Sequence, residues 1–163
     1  MTRLHPFLLF LLVISGCASI SELPQSISEV NFDSLDAGKT GAFTYEDNMV
    51  FANIDKRTAF LAAKEGFTRS GFILKKGDFD QGILFGYHDI TDHDWNVVAG
   101  VYLKESGSDI SVKVIAKTSK DFSLIGNLGD TTSGSWPQKI LSGMQDYIMR
   151  ESSITNPAKK HFR

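Results

Sequence analysis

The feature that most constrains this chain is a pair of alternating runs separated by a short turn. Trp95 to Glu105 sets Trp95, Val97, Ala99, Val101 and Leu103 on one side. Ile110 to Thr118 sets Ile110, Val112, Val114 and Ala116 on one side, with Ser111, Lys113 and Lys117 opposite. A period of two marks a strand, because successive side chains point to opposite faces. Ser106-Gly107-Ser108-Asp109 between them has turn composition. The pattern predicts an antiparallel sheet with one face buried and one face wet.

Such a sheet needs a cover, and two amphipathic segments can supply it. Asp55 can cap a helix running from Lys56 to about Ser70, on which Ala59, Phe60, Ala63 and Phe67 share one face. Gly66 weakens that helix and Gly71 is a natural stop. A second helix begins at Ser135, which has capping-box spacing to Gln138, with Pro137 in the first turn. Its stripe is Trp136, Ile140, Leu141, Met144, Tyr147 and Ile148. Further strands are predicted at Met49 to Ile54, Phe72 to Lys76 and Ile83 to Ile90, the last two joined by a hairpin loop over Gly77 to Gly82. The order β-α-β-β-β-β-α predicts an α+β domain, a two-layer antiparallel sheet covered on one face by two helices. No internal repeat is read.

The chain has 163 residues, 42% of them hydrophobic and 22% charged, which suits one globular domain. A net charge of −2 without a basic stripe argues against a nucleic-acid binder. The single cysteine, Cys17, rules out an internal disulfide. Residues 18–48 are rich in Ser, Pro, Gly and acids, with Lys39 the lone cation, and read as a flexible tether. Gly41 to Tyr45 within it could instead add an edge strand. The expected organisation is thus a signal at 1–16, the cysteine and tether at 17–48, the domain at 49–151 and a polar tail at 152–163.

The amino terminus carries one positive charge at Arg3, then Phe7-Leu8-Leu9-Phe10-Leu11-Leu12-Val13-Ile14 without a polar residue. Such a run is shorter than the roughly 20 residues a spanning helix needs, and has the length of a signal-peptide core. Ile14-Ser15-Gly16-Cys17 follows. Residues 1–17 resemble the signal of the bacterial lipoprotein family, whose lipobox ends in small residues and Cys. The resemblance implies a diacylglycerol on the sulfur of Cys17, cleavage before it and acylation of its amine. Each buried methylene adds about 0.8 kcal/mol, so more than one chain anchors firmly. In that family an Asp after the cysteine marks retention at the inner membrane, so the resemblance, with Ala18 there instead, implies a place at the outer membrane, and a periplasm-facing domain is expected. The domain resembles the helix-grip domains of envelope lipoproteins, such as the BamC component of the beta-barrel assembly machinery. Ala59, Phe60, Ala63, Gly71-Phe72, Asp80, Gly82 and Ile83 carry that likeness.

The densest set of metal-capable residues is His88-Asp89-Ile90-Thr91-Asp92-His93-Asp94, but it lacks a recognised ligand spacing and polar turn residues explain it as well. Asp78, Asp80 and Gly82 lack the downstream Glu of a calcium loop. Gly126-Asn127-Leu128-Gly129 lacks the Lys of a phosphate loop, and Ser133-Gly134-Ser135 lacks the nucleophile-elbow frame. Trp95 and Trp136 could line a groove but suit a core, and the basic tail at Lys159, Lys160, His161 and Arg163 suits a solvated end. No catalytic, metal or cofactor residue is assigned. The expectation is a membrane-anchored envelope lipoprotein acting as a non-catalytic interaction or assembly module with an envelope protein partner. The alternative is a periplasmic carrier of a small ligand or lipid.

Overall fold

The structure, a computed structural model, describes residues 18–34, 37–41, 43–88, 96–118 and 136–155. Its strands are β1 (Gly38–Lys39), β2 (Thr44–Phe51), β3 (Phe72–Asp78), β4 (Ile83–His88), β5 (Val97–Ser106) and β6 (Asp109–Thr118). They form one antiparallel sheet of six strands in the order β1-β2-β6-β5-β4-β3. Two helices, α1 (Lys56–Arg69) and α2 (Trp136–Thr155), lie on one face, so the fold is α+β. The alternation sets the register: Ala99 faces Ala116, Val101 faces Val114 and Leu103 faces Val112. These residues pack against Phe60, Phe67, Trp136, Ile140, Leu141 and Met144 of the helices.

The start of α1 follows from its cap. Asp55 is extended, and its carboxylate accepts from the Thr58 N–H at 2.8 Å and the Thr58 hydroxyl at 3.1 Å. At the other end the Ser70 N–H donates to the Gly66 and Phe67 carbonyls, and Gly71, at φ +79°, turns the chain out. The helix that Gly66 was expected to weaken depends on it instead. A Cβ there would lie 2.6 Å from the Ile140 carbonyl oxygen and 2.9 Å from Met144 Cγ, and one on Gly143 would lie 3.0 Å from Gly66 Cα. The helices cross backbone to backbone at these glycines.

Several boundaries differ from expectation. The strand expected at Met49 to Ile54 starts earlier, because β6 pairs with it from Thr44↔Lys117 to Phe51↔Ile110. The polar tail expected from 152 is helical as far as Thr155, and Ser152 and Ser153 return their hydroxyls to the carbonyls of Met149 and Arg150. The larger correction concerns the tether and the wet face. Residues 18–34 lie across the second face of the sheet, and Thr44 to Asn48 belong to β2. Leu23 and Val30 are buried there with Ile83, Phe85, Val98, Tyr102 and Ile115. The sheet is therefore covered on both faces, by helices on one and by an extended strap on the other. The proposed cap Ser135 and the tail beyond Thr155 lie outside the described residues.

Outside the core, the helices are laced by ions. Arg69 Nε donates to Glu65 at 2.8 Å and its Nη1 to Asp146 at 3.1 Å, while Arg150 Nη2 reaches Glu65 at 3.1 Å. The hydrogen bonds from Arg69, then from Arg150, hold the Glu65 carboxyl below its usual value. The backbone N–H of Thr58 does the same for Asp55. Carboxylates lowered in the folded state contribute stability above the ordinary carboxylate range and lose it as pH falls through their folded values. Both groups are solvent-facing, so each effect is small.

Two outcomes follow from the helix pair. Gly66→Ala should lower the thermal midpoint, although Ala is about 1 kcal/mol the better helix former, because overpacking typically costs about 1–3 kcal/mol. A rise in the midpoint would show that the crossing has slack. On acidification below the carboxylate range the midpoint should fall, and Asp55→Asn with Glu65→Gln should flatten that fall; an unchanged acid slope in paired melts would contradict the assignment.

Candidate functional site

The strap begins from a local sequence pattern that recurs. Ser19-Ile20-Ser21-Glu22-Leu23 and Ser26-Ile27-Ser28-Glu29-Val30 are the same five-residue phrase, changed only in its last aliphatic residue. This is an internal repeat that was not expected. Each copy makes one 3-10 turn, Ile20–Glu22 and Ile27–Glu29. In each, the first serine is extended and its hydroxyl accepts from the N–H of the second, while the two hydroxyls bond at 2.8 Å. Each turn then delivers its final residue inward, Leu23 at 3% exposure and Val30 at 9%. Gln25 joins the copies, its side-chain amide reaching the Ile20 and Leu23 carbonyls and its N–H donating to Glu29.

A strap of this kind has carbonyls that no strand partner satisfies, and buried carbonyls need donors. The sheet supplies them from side chains. Asn96 Nδ2 donates to Ala18 O at 2.9 Å, Lys117 Nζ to Glu22 O at 2.8 Å and Tyr102 Oη to Pro24 O at 2.9 Å. Lys113 Nζ donates to Asn31 O at 3.0 Å and Ser34 O at 3.4 Å, and Asn48 Nδ2 also reaches Ser34 O. Lys113, expected on the wet side, is 1% exposed and pairs with Glu46 at 3.0 Å. Burial holds the Tyr102 phenol protonated far above its ordinary range, with the carboxylates of Glu29 and Glu46 adding to the effect. The ring lies over Gly100, where a Cβ would fall 2.5 Å from the phenol oxygen. Lys104 caps the end of the strap, 5.4 Å from the centre of the Phe32 ring.

Cys17, the expected lipidation site, lies outside the described residues, but its neighbour does not. Ala18 is 7% exposed and packed in the second core. No helix among the described residues is long and apolar enough to cross a membrane.

Of the metal-capable run, only His88 is described; Asp89, Asp92, His93 and Asp94 lie outside, as do Trp95, Gly126 to Gly129 and Ser133 to Ser135. His88 sits among rings, 4.5 Å from Trp136 and 5.3 Å from Phe72 by centroid, in space that Gly71 leaves beside its Nε2. Among the described residues no group of three or more His, Cys, Asp or Glu gathers. Asp78 and Asp80 shape the hairpin turn: Asp78 accepts from the Gln81 N–H and the Asp80 carbonyl accepts from Lys56 Nζ. Gly82, at φ +68°, lies against Leu103, whose N–H bonds its carbonyl at 2.8 Å.

Two further features bear on partners. Phe72 meets Phe67 in a tilted contact and Trp136 edge to face, each at 5.5 Å between ring centroids, and among the described residues the buried Trp136 Nε1 and Ser70 Oγ have no hydrogen-bond partner. Strand β3 ends the sheet order, and its outward residues include Ile73 at 43% and Leu74 at 38% exposure, with Lys75 and Lys76 beside them. A bulge lies between Leu74 and Lys76, and Lys75 Nζ rests 4.7 Å over the Tyr87 ring.

No protein-family model matches the chain, and no curated protein matches it. Solved structures are similar to the chain only at low identity. One is Ara h 8.0201, 11% identical, covering 68% of this chain and 99% of that one with a TM-score of 0.39. Another is an HSP90 activator from Plasmodium falciparum, 14% identical, covering 66% and 97% with a TM-score of 0.40. A third is a protein from Chromobacterium violaceum, 10% identical, covering 66% and 93% with a TM-score of 0.31.

The strap should prove integral to the domain. Burying Leu23 and Val30 contributes roughly 1.5–3 kcal/mol each, against a whole-domain stability of about 5–15 kcal/mol. A chain beginning at Ala37 should melt well below one beginning at Ala18 and should bind a hydrophobic dye through the uncovered Phe85, Val98 and Ile115. Equal midpoints and no dye signal would show that the strap is an ornament on a self-sufficient sheet.

Proposed function

We propose that this chain is a lipid-anchored lipoprotein of the cell envelope, held at the outer membrane and facing the periplasm, whose domain is a non-catalytic interaction module. The anchoring rests on the lipobox-like Ile14-Ser15-Gly16-Cys17. The observation that carries the interaction role is the outer edge of β3. It presents strand backbone with exposed Ile73 and Leu74, while the sheet's two faces are filled by the helices and the strap. An open edge with apolar side chains is a template on which a partner can add a strand. The bulge and the lysines temper it against indiscriminate pairing. The partner is an envelope protein; a nucleic acid does not suit the charge.

A second reading, a carrier of a small ligand or lipid, is favoured by one observation. Trp136 Nε1, beside the Phe72 and His88 rings, is a buried donor with no partner among the described residues, where a ligand's acceptor could meet it.

The anchoring is tested directly. Intact mass spectrometry of the mature protein should show an acylated Cys17 as the first residue. Cys17→Ser should abolish the added mass and move the protein from the membrane pellet to the soluble periplasmic fraction. Any other mature amino terminus, or membrane association that survives Cys17→Ser, would remove the lipoprotein reading.

A further inference from the structure

We propose that the bilayer surface is itself a docking partner of the folded domain, met by the end of the sheet that carries Lys39, Phe43 and Thr118, with the β5–β6 turn held away from it. The inference rests on lipidation of Cys17 and adds where the domain must then stand. Ala18 is buried, and its carbonyl is fixed by Asn96 at 2.9 Å. One peptide unit therefore joins the acylated residue to the packed core, a Cα step of about 3.8 Å. A flexible tether of thirty residues would instead let the domain range over roughly 30 Å. The acyl chains must enter the membrane at the point where the strap leaves the sheet.

That point is located by pairing. Asn96 immediately precedes Val97, whose partners are His88 and Thr118. The Thr118 N–H donates to Phe43 O at 3.0 Å, and Lys39, exposed on the edge strand, pairs with Tyr45. These residues share one end of the sheet. Ser106 and Asp109 close β5 and β6 at the other end. At about 3.3 Å per residue, the length of β5 separates the two ends by roughly 30 Å. With no slack at the anchor, the first end lies at the headgroups and the second stands clear of them.

The full chain, processed in a bacterium and reconstituted into vesicles of phosphatidylethanolamine and phosphatidylglycerol, can report this. Cys17 is the only cysteine, so once it is acylated an introduced thiol is the sole labelling site. A donor dye on Lys39→Cys should transfer energy to headgroup-labelled lipid several-fold more efficiently than one on Ser108→Cys. A flexible Gly/Ser insert between Cys17 and Ala18 should erase that contrast. Equal transfer from the two positions in acylated protein would overturn the docking, and a contrast that survives the insert would overturn the strap as its cause. Absence of acyl mass on Cys17 would instead remove the lipoprotein reading and this inference with it.

Discussion

Strand β5 is buried on both sides along most of its length. Val97, Ala99, Val101 and Leu103 face the helices, while Val98 and Tyr102 face the strap. A strand of that kind cannot sit at the surface of a sheet with one solvated face. It needs a cover above and a cover below, and the rest of the domain is arranged to provide them. Helices α1 and α2 can press close to one face because Gly66 and Gly143 bring their backbones together. The other face takes a thinner cover, a single extended strap whose inward residues are Leu23 and Val30.

The two covers are held by different physics. The helices satisfy their own backbone groups, so their attachment is mainly apolar burial and close packing. The strap satisfies only some of its carbonyls, through its 3-10 turns and Gln25, and for others the sheet and its margin present donors from Asn48, Asn96, Tyr102, Lys113 and Lys117. Lys113 is the extreme case, an ammonium withdrawn from water and compensated by the Glu46 carboxylate together with strap carbonyls. Such a charge is tolerable only with all its partners present. The polar residues of β6 therefore fix the path of the strap, where apolar residues alone would allow it to slide.

Much of this architecture was readable from period and punctuation. The alternation of Ile110 to Thr118 located β6 to within a residue, and Asp55 and Gly71 bracketed α1. The helix stripe of Trp136, Ile140, Leu141 and Met144 found its core. The second cover was missed because lysines were read by charge alone, and a lysine's length lets its head reach a carbonyl or carboxylate over a buried stem. The missed signal lay in β4 and β5. Ile83-Leu84-Phe85 and Val97 to Leu103 have no polar residue facing either way except the tyrosine hydroxyl, which marks a strand covered twice. The strap hid for another reason. A 3-10 turn buries one residue in several, so its period falls between the helix and strand templates, and only the recurrence of Ser-Ile-Ser-Glu betrays it. The β3 edge was not legible as a surface, because the exposure of Ile73 and Leu74, on opposite faces of the strand, depends on how far the strap covers one face and the helices the other.

The strap also governs the order in which this chain can mature. Ala18 waits for Asn96 and Pro24 for Tyr102, each 78 residues further along, and Glu22 waits for Lys117 at a separation of 95. Contacts so distant in sequence carry a large loop-closure cost and slow the approach to the native state. Of the described residues, those that leave the ribosome first are thus among the last to find their places. Until β5 and β6 pair, Phe85, Val98 and Ile115 lack their cover, and the interval before the strap lands is when the chain is most exposed to aggregation and proteolysis.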